Sequence, residues 1–73
     1  MAEARRFLII VEEGGPNFSA YSPDLPGCVS TGSTIQETIE NMKEAIGFHL
    51  QGMQEDALPP PQSSTIAAQI ITV

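Results

Sequence analysis

Apolar positions divide the chain into five segments separated by turn residues. Arg5 to Glu13 (RRFLIIVEE) is β-branched and aromatic and ends at Gly14-Gly15-Pro16, which predicts a strand followed by a turn. Leu8, Ile9, Ile10 and Val11 are all apolar, so alternation is weak, and this strand is expected at the centre of a sheet with both faces covered. Asn17 to Ser22 alternates, with Phe18, Ala20 and Ser22 on one face and Ser19 and Tyr21 on the other. A short Gly-rich hairpin makes these two segments antiparallel neighbours. Pro26 and Gly27 occupy the positions that a type II turn from Leu25 to Cys28 requires. Cys28 to Thr31 then predicts a short third strand, stopped by Gly32.

The period changes at Thr34. Thr34 with Glu37 three residues on forms a capping-box pattern. Ile35, Ile39, Met42, Ile46, Leu50 and Met53 recur at steps of 4, 3, 4, 4 and 3, one stripe along a helix to about Glu55. That helix would be about 30 Å long at 1.5 Å per residue, and its stripe would face a sheet. Residues 57–64 (ALPPPQSS) form a Pro-rich connector, because consecutive prolines cannot continue a helix and favour extended geometry. Thr65 to Val73 is again β-branched and apolar, and is expected to return by a right-handed crossover to the same sheet.

The predicted fold is therefore α+β in the order β-β-β-α-β: an antiparallel three-stranded meander, one helix and a last returning strand, within a single domain spanning 1–73. One helix covers one sheet face. The other is expected to meet a second copy, with Leu8, Ile9 and Ile10 as the self-association candidates, giving a homodimer or higher oligomer.

Composition narrows the function. The chain has 73 residues, with three Lys+Arg against nine Asp+Glu and a net charge of −6. Direct nucleic-acid binding needs clustered cations, and only Arg5, Arg6 and Lys43 are present, so a basic protein partner suits the charge better. The apolar run Phe7 to Val11 is far short of the ~20 residues that span a bilayer, so no membrane association and a cytoplasmic location are expected, with Cys28 a reduced thiol. One cysteine and one histidine can make neither a disulfide nor a structural zinc site within the chain.

Catalytic constellations are equally scarce. A Cys28–His49 thiol dyad would lack an oriented third group and oxyanion donors, and the plainer reading is a small buried thiol and a half-buried helix histidine beside Leu50. Glu37, Glu40 and Glu44 read as a solvated acidic helix face rather than metal ligands. Gly14-Gly15 lacks the lysine and helix of a phosphate loop. Phe7, Phe18, Tyr21 and Phe48 read as core and sheet-face packing. No catalytic residue, metal or cofactor is expected.

The run Phe18-Ser19-Ala20-Tyr21-Ser22-Pro23-Asp24-Leu25-Pro26-Gly27-Cys28, followed by Thr31-Gly32-Ser33-Thr34 and a helix opening Ile35-Gln36-Glu37-Thr38-Ile39-Glu40-Asn41-Met42, resembles the HicB antitoxin-like family of the UPF0150 type. The similarity covers roughly residues 5 to 60. It implies a partial ribonuclease H-like fold and an antitoxin role, in which a small basic ribonuclease toxin (HicA-like) is bound and blocked by occlusion. Larger members carry a C-terminal DNA-binding module. This chain stops at Val73, where the fourth strand should end, so no such module and no operator binding are expected. Enzymes of the related fold hold two metals on carboxylates from the first strand, the helix and a later strand. Here the first strand has Glu12 and Glu13 only at its end and the last strand has no acid, which argues against a nuclease.

The Pro23 to Cys28 stretch has two readings: a rigid turn needed for backbone geometry, or a partner contact formed by Tyr21, Asp24, Leu25, Pro26 and Gly27. Tyr21 could alternatively face the helix. A second functional class, a solitary oligomer without a toxin that binds a small ligand in a dimer cleft, fits the same composition.

Overall fold

The computed structural model describes residues 5–59 and 61–73. Three strands and one helix form in the order β1 (Ile10–Glu13), β2 (Phe18–Tyr21), β3 (Val29–Gly32) and α1 (Ile35–Glu55). The strands make one antiparallel sheet in the order β1-β2-β3. This is the expected α+β meander with its helix.

Local chemistry explains the joints. The β1–β2 hairpin closes through the Gly14 amide donating to the Asn17 carbonyl at 2.8 Å. The turn after β2 closes through the Cys28 amide to the Leu25 carbonyl at 3.1 Å, with Gly27 at φ 82°, the left-handed conformation that the third position of a type II turn demands and that glycine adopts without steric penalty.

At the start of α1 the Thr34 hydroxyl accepts from the Glu37 amide at 3.0 Å. The Glu37 carboxylate reaches back one residue further than a capping box would, to the Ser33 amide at 3.0 Å and the Ser33 hydroxyl at 3.2 Å. The helix ends in a Schellman motif. Leu58 donates to the Met53 carbonyl at 2.8 Å and Ala57 to that of Gln54 at 3.1 Å, with Ala57 at φ 56° in the place usually held by glycine.

Val11, Ala20 and Ser30 are cross-strand neighbours on the face under the helix, as are Glu13, Phe18 and Gly32. The Ser30 hydroxyl donates to the Thr38 carbonyl at 3.1 Å, and the Asn41 amide group to the Thr31 carbonyl at 2.8 Å, tying β3 to α1. The two elements touch most closely at Gly32. A Cβ there would lie 2.7 Å from the Thr38 nitrogen and 3.0 Å from its Cα, so only glycine lets β3 run this near the helix. The core is Ala20, Leu25, Cys28 and Met42, with Phe7, Ile9, Val11, Ala45, Ile46 and Leu50 packed around it.

Four expectations are corrected. β1 is four residues long, Ile10–Glu13, and lies at the sheet edge; β2 is central, because β1 has only one neighbour among the described residues. The helix stripe is rotated: Ile35 is exposed, while Thr38, absent from the apolar pattern, is fully buried beside Gly32 with its hydroxyl satisfied by the Thr34 carbonyl at 2.7 Å. Phe48 is exposed on α1 rather than packed in the core. Residues 65–73 form no strand in a single copy; their apolar side chains stand in solvent. A strand needs an edge to complete its backbone hydrogen bonds, and this segment pairs with none among the described residues.

Candidate functional site

Two surface features flank the sheet. The first is its face away from α1. Alternation puts Val11, Ala20 and Ser30 under the helix, so their neighbours Ile10, Tyr21 and Val29 form a row across all three strands on the opposite face. Tyr21 is 38% exposed and Val29 64%. The next row out on that face is Glu12, Ser19 and Thr31. An apolar strip with an aromatic at its centre thus borders a carboxylate, on a chain whose net charge is −6. Tyr21 lies on this open face, which excludes the alternative of a helix-facing ring.

The second feature is the turn after β2. Leu25, expected at the surface, is 1% exposed and belongs to the core. Two stacked turns, Leu25 to the Ser22 carbonyl at 3.2 Å and Cys28 to Leu25, fold its side chain inward between sheet and helix. Pro26 and Gly27 are exposed at the tip.

Asp24 is engaged within the chain. Its carboxylate accepts from the Ser63 hydroxyl at 3.0 Å, the Ser64 hydroxyl at 3.1 Å and the Thr65 amide at 3.2 Å. Desolvation alone would raise this carboxyl, but the hydrogen bonds from Thr65, Ser63 and Ser64 outweigh it and hold the group below the ordinary 3.8. Nothing in the sequence spacing marked this clasp, since its partners are about forty residues apart. The cue lies in composition only: a Ser-Ser-Thr run with no other evident role.

Of the self-association candidates, Ile9 packs against the core, whereas Leu8 and Ile10 occupy the alternate positions. Burial pushes the Cys28 thiol up, away from the thiolate a nucleophile needs. Among the described residues no group of three or more His, Cys, Asp or Glu is placed to hold a metal ion, and no helix is long and apolar enough to cross a membrane.

Comparison with known proteins places this arrangement. Residues 7–72 match the family described as "HicB_like antitoxin of bacterial toxin-antitoxin system". The chain belongs to the HicB-like antitoxin family. It is 42% identical over 62 residues to an "Uncharacterized 14.9 kDa protein in rep-hol intergenic region" of Haemophilus phage HP1, covering 85% of this chain but 47% of that protein's length. A UPF0150 protein of Helicobacter pylori is 37% identical over 49 residues, covering 67% of this chain and 68% of that one. A UPF0150 protein of Synechocystis sp. is 30% identical over 59 residues, 81% and 75% respectively. The chain therefore spans about half of the phage relative and most of the other two. The HicB-like match reaches Ile71 and Thr72, so it takes in the exposed tail as well as the sheet and helix.

Proposed function

We propose that this chain is the toxin-binding module of a toxin-antitoxin pair and neutralises a small basic ribonuclease, HicA-like in kind, by covering it rather than by chemistry of its own. The observation that carries this is the open sheet face: an aromatic residue, Tyr21, flanked by Ile10 and Val29 and bordered by Glu12, in an acidic protein of the HicB-like antitoxin family. Interfaces concentrate their energy in a few buried aromatic anchors within a polar rim, and an acidic field speeds encounter with a basic partner. Pro26 and Gly27 at the tip of the neighbouring turn extend this surface. Asp24 serves it indirectly by holding the tail. Leu8, Ile9 and Ile10, on and beside the outer edge of β1, are the candidates for contact between copies, with a homodimer or larger assembly in the cytoplasm as the working state. In that assembly residues 65–73 supply the fourth strand of a partial ribonuclease H-like sheet, and 1–73 acts as one domain.

The test is capture from the native host's lysate on tagged protein, followed by identification of what is retained. Retention of a small basic protein that high salt releases, and that Tyr21→Ala weakens tenfold or more, is the expected result. Recovery of the chain alone, or undiminished retention by Tyr21→Ala together with Glu12→Lys, would overturn the reading and favour a solitary oligomer.

A further inference from the structure

The tail is the least economical part of a single copy. Residues 57–73 carry no charged side chain, and Ile66 and Ile70 are 96% and 94% exposed, with Ile71 and Val73 also in solvent. A soluble chain does not leave an uncharged, β-branched segment of this kind open, because it would pair with any available edge. The matching edge exists on the same chain. β1 is hydrogen-bonded to β2 on one side, and among the described residues no strand lies on its other side. Beneath that edge Phe7, Ile9 and Leu50 pack against the core while remaining only half-buried.

The root of the tail is fixed. Asp24 clasps Ser63, Ser64 and Thr65, and this places Ser63, Thr65 and Ile66 around a shallow cavity of ≈ 290 Å³ shared with Arg6, Phe7 and Leu8. From Ile66 onward the chain leaves its own sheet. The dimensions register the departure. The accessible surface is 5827 Å², whereas a compact protein of this mass exposes about 4,400 Å². The radius of gyration is 13.5 Å, against about 11 Å for a compact chain of this length. The surplus is about 1,400 Å², which exceeds the roughly 800 Å² that one partner contributes to an ordinary stable interface.

We propose that residues 66–73 form the fourth strand of a second copy's sheet, seated on its β1 edge, and that the exchange is reciprocal, giving a two-fold dimer. Alternation puts Ile66, Ala68 and Ile70 on one side of the tail, and that side covers the acceptor's Phe7, Ile9 and Leu50. The Asp24 clasp is the hinge: it stays within each copy while the tip crosses over. Exchange of an identical element is a low-cost route to a dimer, because every contact it makes is one the fold already accommodates. The proposal concerns assembly alone and does not rest on a toxin partner, so either can fail without the other.

The experiment replaces Ala68 with a photo-reactive phenylalanine analogue in the full chain and irradiates an equimolar mixture of isotopically heavy and light protein. The expected result is cross-links that join heavy to light chains and fall within residues 6–13. Cross-links confined to chains of one isotope would overturn the exchange in favour of a tail closing on its own sheet. Cross-links absent from residues 6–13 would overturn the choice of acceptor. In parallel, Ile70→Asp is expected to weaken dimerisation at least tenfold by sedimentation while the helical circular dichroism is retained. An unchanged dimer, or a wild-type monomer at tens of micromolar, would likewise overturn the proposal.

Discussion

The body from Ile10 to Glu55 and the tail from residue 61 are both rich in apolar residues, yet one is folded and the other is open. In the body each apolar segment is followed within a few residues by chemistry that returns the chain upon itself: the Gly14–Asn17 turn, the Leu25–Cys28 turn with Gly27 at positive φ, and the Thr34 cap. Its cross-strand pairs are therefore close in sequence and closed by local bonds. The tail follows a proline run, and the bonds that anchor its root join residues about forty positions apart. Apolar sequence creates the demand for burial; short connections decide whether a single copy can meet it.

The sharpest way to break this contrast is in the core. Met42 is fully buried between sheet and helix, and Met42→Ala is expected to cost about 2–5 kcal/mol. That is enough to unfold much of a domain of this size, and urea titration of the helical signal would show it at every protein concentration. An Ile70→Asp change should instead act only through concentration. A Met42→Ala protein as stable as the parent would mean that the body does not hold itself together.

Gly32→Ala is expected to come next, at about 1–3 kcal/mol, because its methyl would meet the buried Thr38 hydroxyl at 2.6 Å and the Thr38 backbone nitrogen at 2.7 Å, and the backbone cannot give way as a side chain can. Thermal melting measures it. No change in midpoint would show that β3 and α1 are not packed as closely as described.

The smallest effect is on the tail clasp. Asp24 titrates below its ordinary 3.8 because it is hydrogen-bonded when ionised, so it favours the clasped form. That contribution is fully present above the unfolded carboxyl's value and is lost as pH falls through the lower, folded one. The amide resonance of Thr65 is expected to move with a midpoint below the ordinary 3.8 of the carboxyl. A midpoint at or above 3.8 would show that the clasp does not form in solution.

Much of the body was legible from residues alone. Turn, cap and helix signals lie in fixed positions near one another, so Pro26-Gly27, Thr34 as N-cap, and the run from Ile35 to Glu55 predicted their own geometry, whereas the Glu37 carboxylate turned to Ser33 instead of the Thr34 amide. The features misread are those in which one segment's environment is set by another. Leu25 looked like a loop-tip contact and is core because two consecutive turns direct it inward. Thr38 lies outside the apolar stripe and is buried because Gly32 lets β3 approach it. Of the candidate site, alternation put Tyr21 on the face opposite Phe18 and Ala20 but left open which face meets the helix, and its place in a row with Ile10 and Val29 depends on strand register.

By itself the sequence determined the α+β order, the acidic character, the turn and cap positions and membership of the HicB-like antitoxin family, because each depends on residue type or on spacing within one segment. Only the tertiary structure decided that β1 is an edge, that Asp24 holds the tail, which sheet face is open and that Leu25 is buried. Those are relations between segments far apart in the chain, and local propensity carries no term for what a distant segment covers.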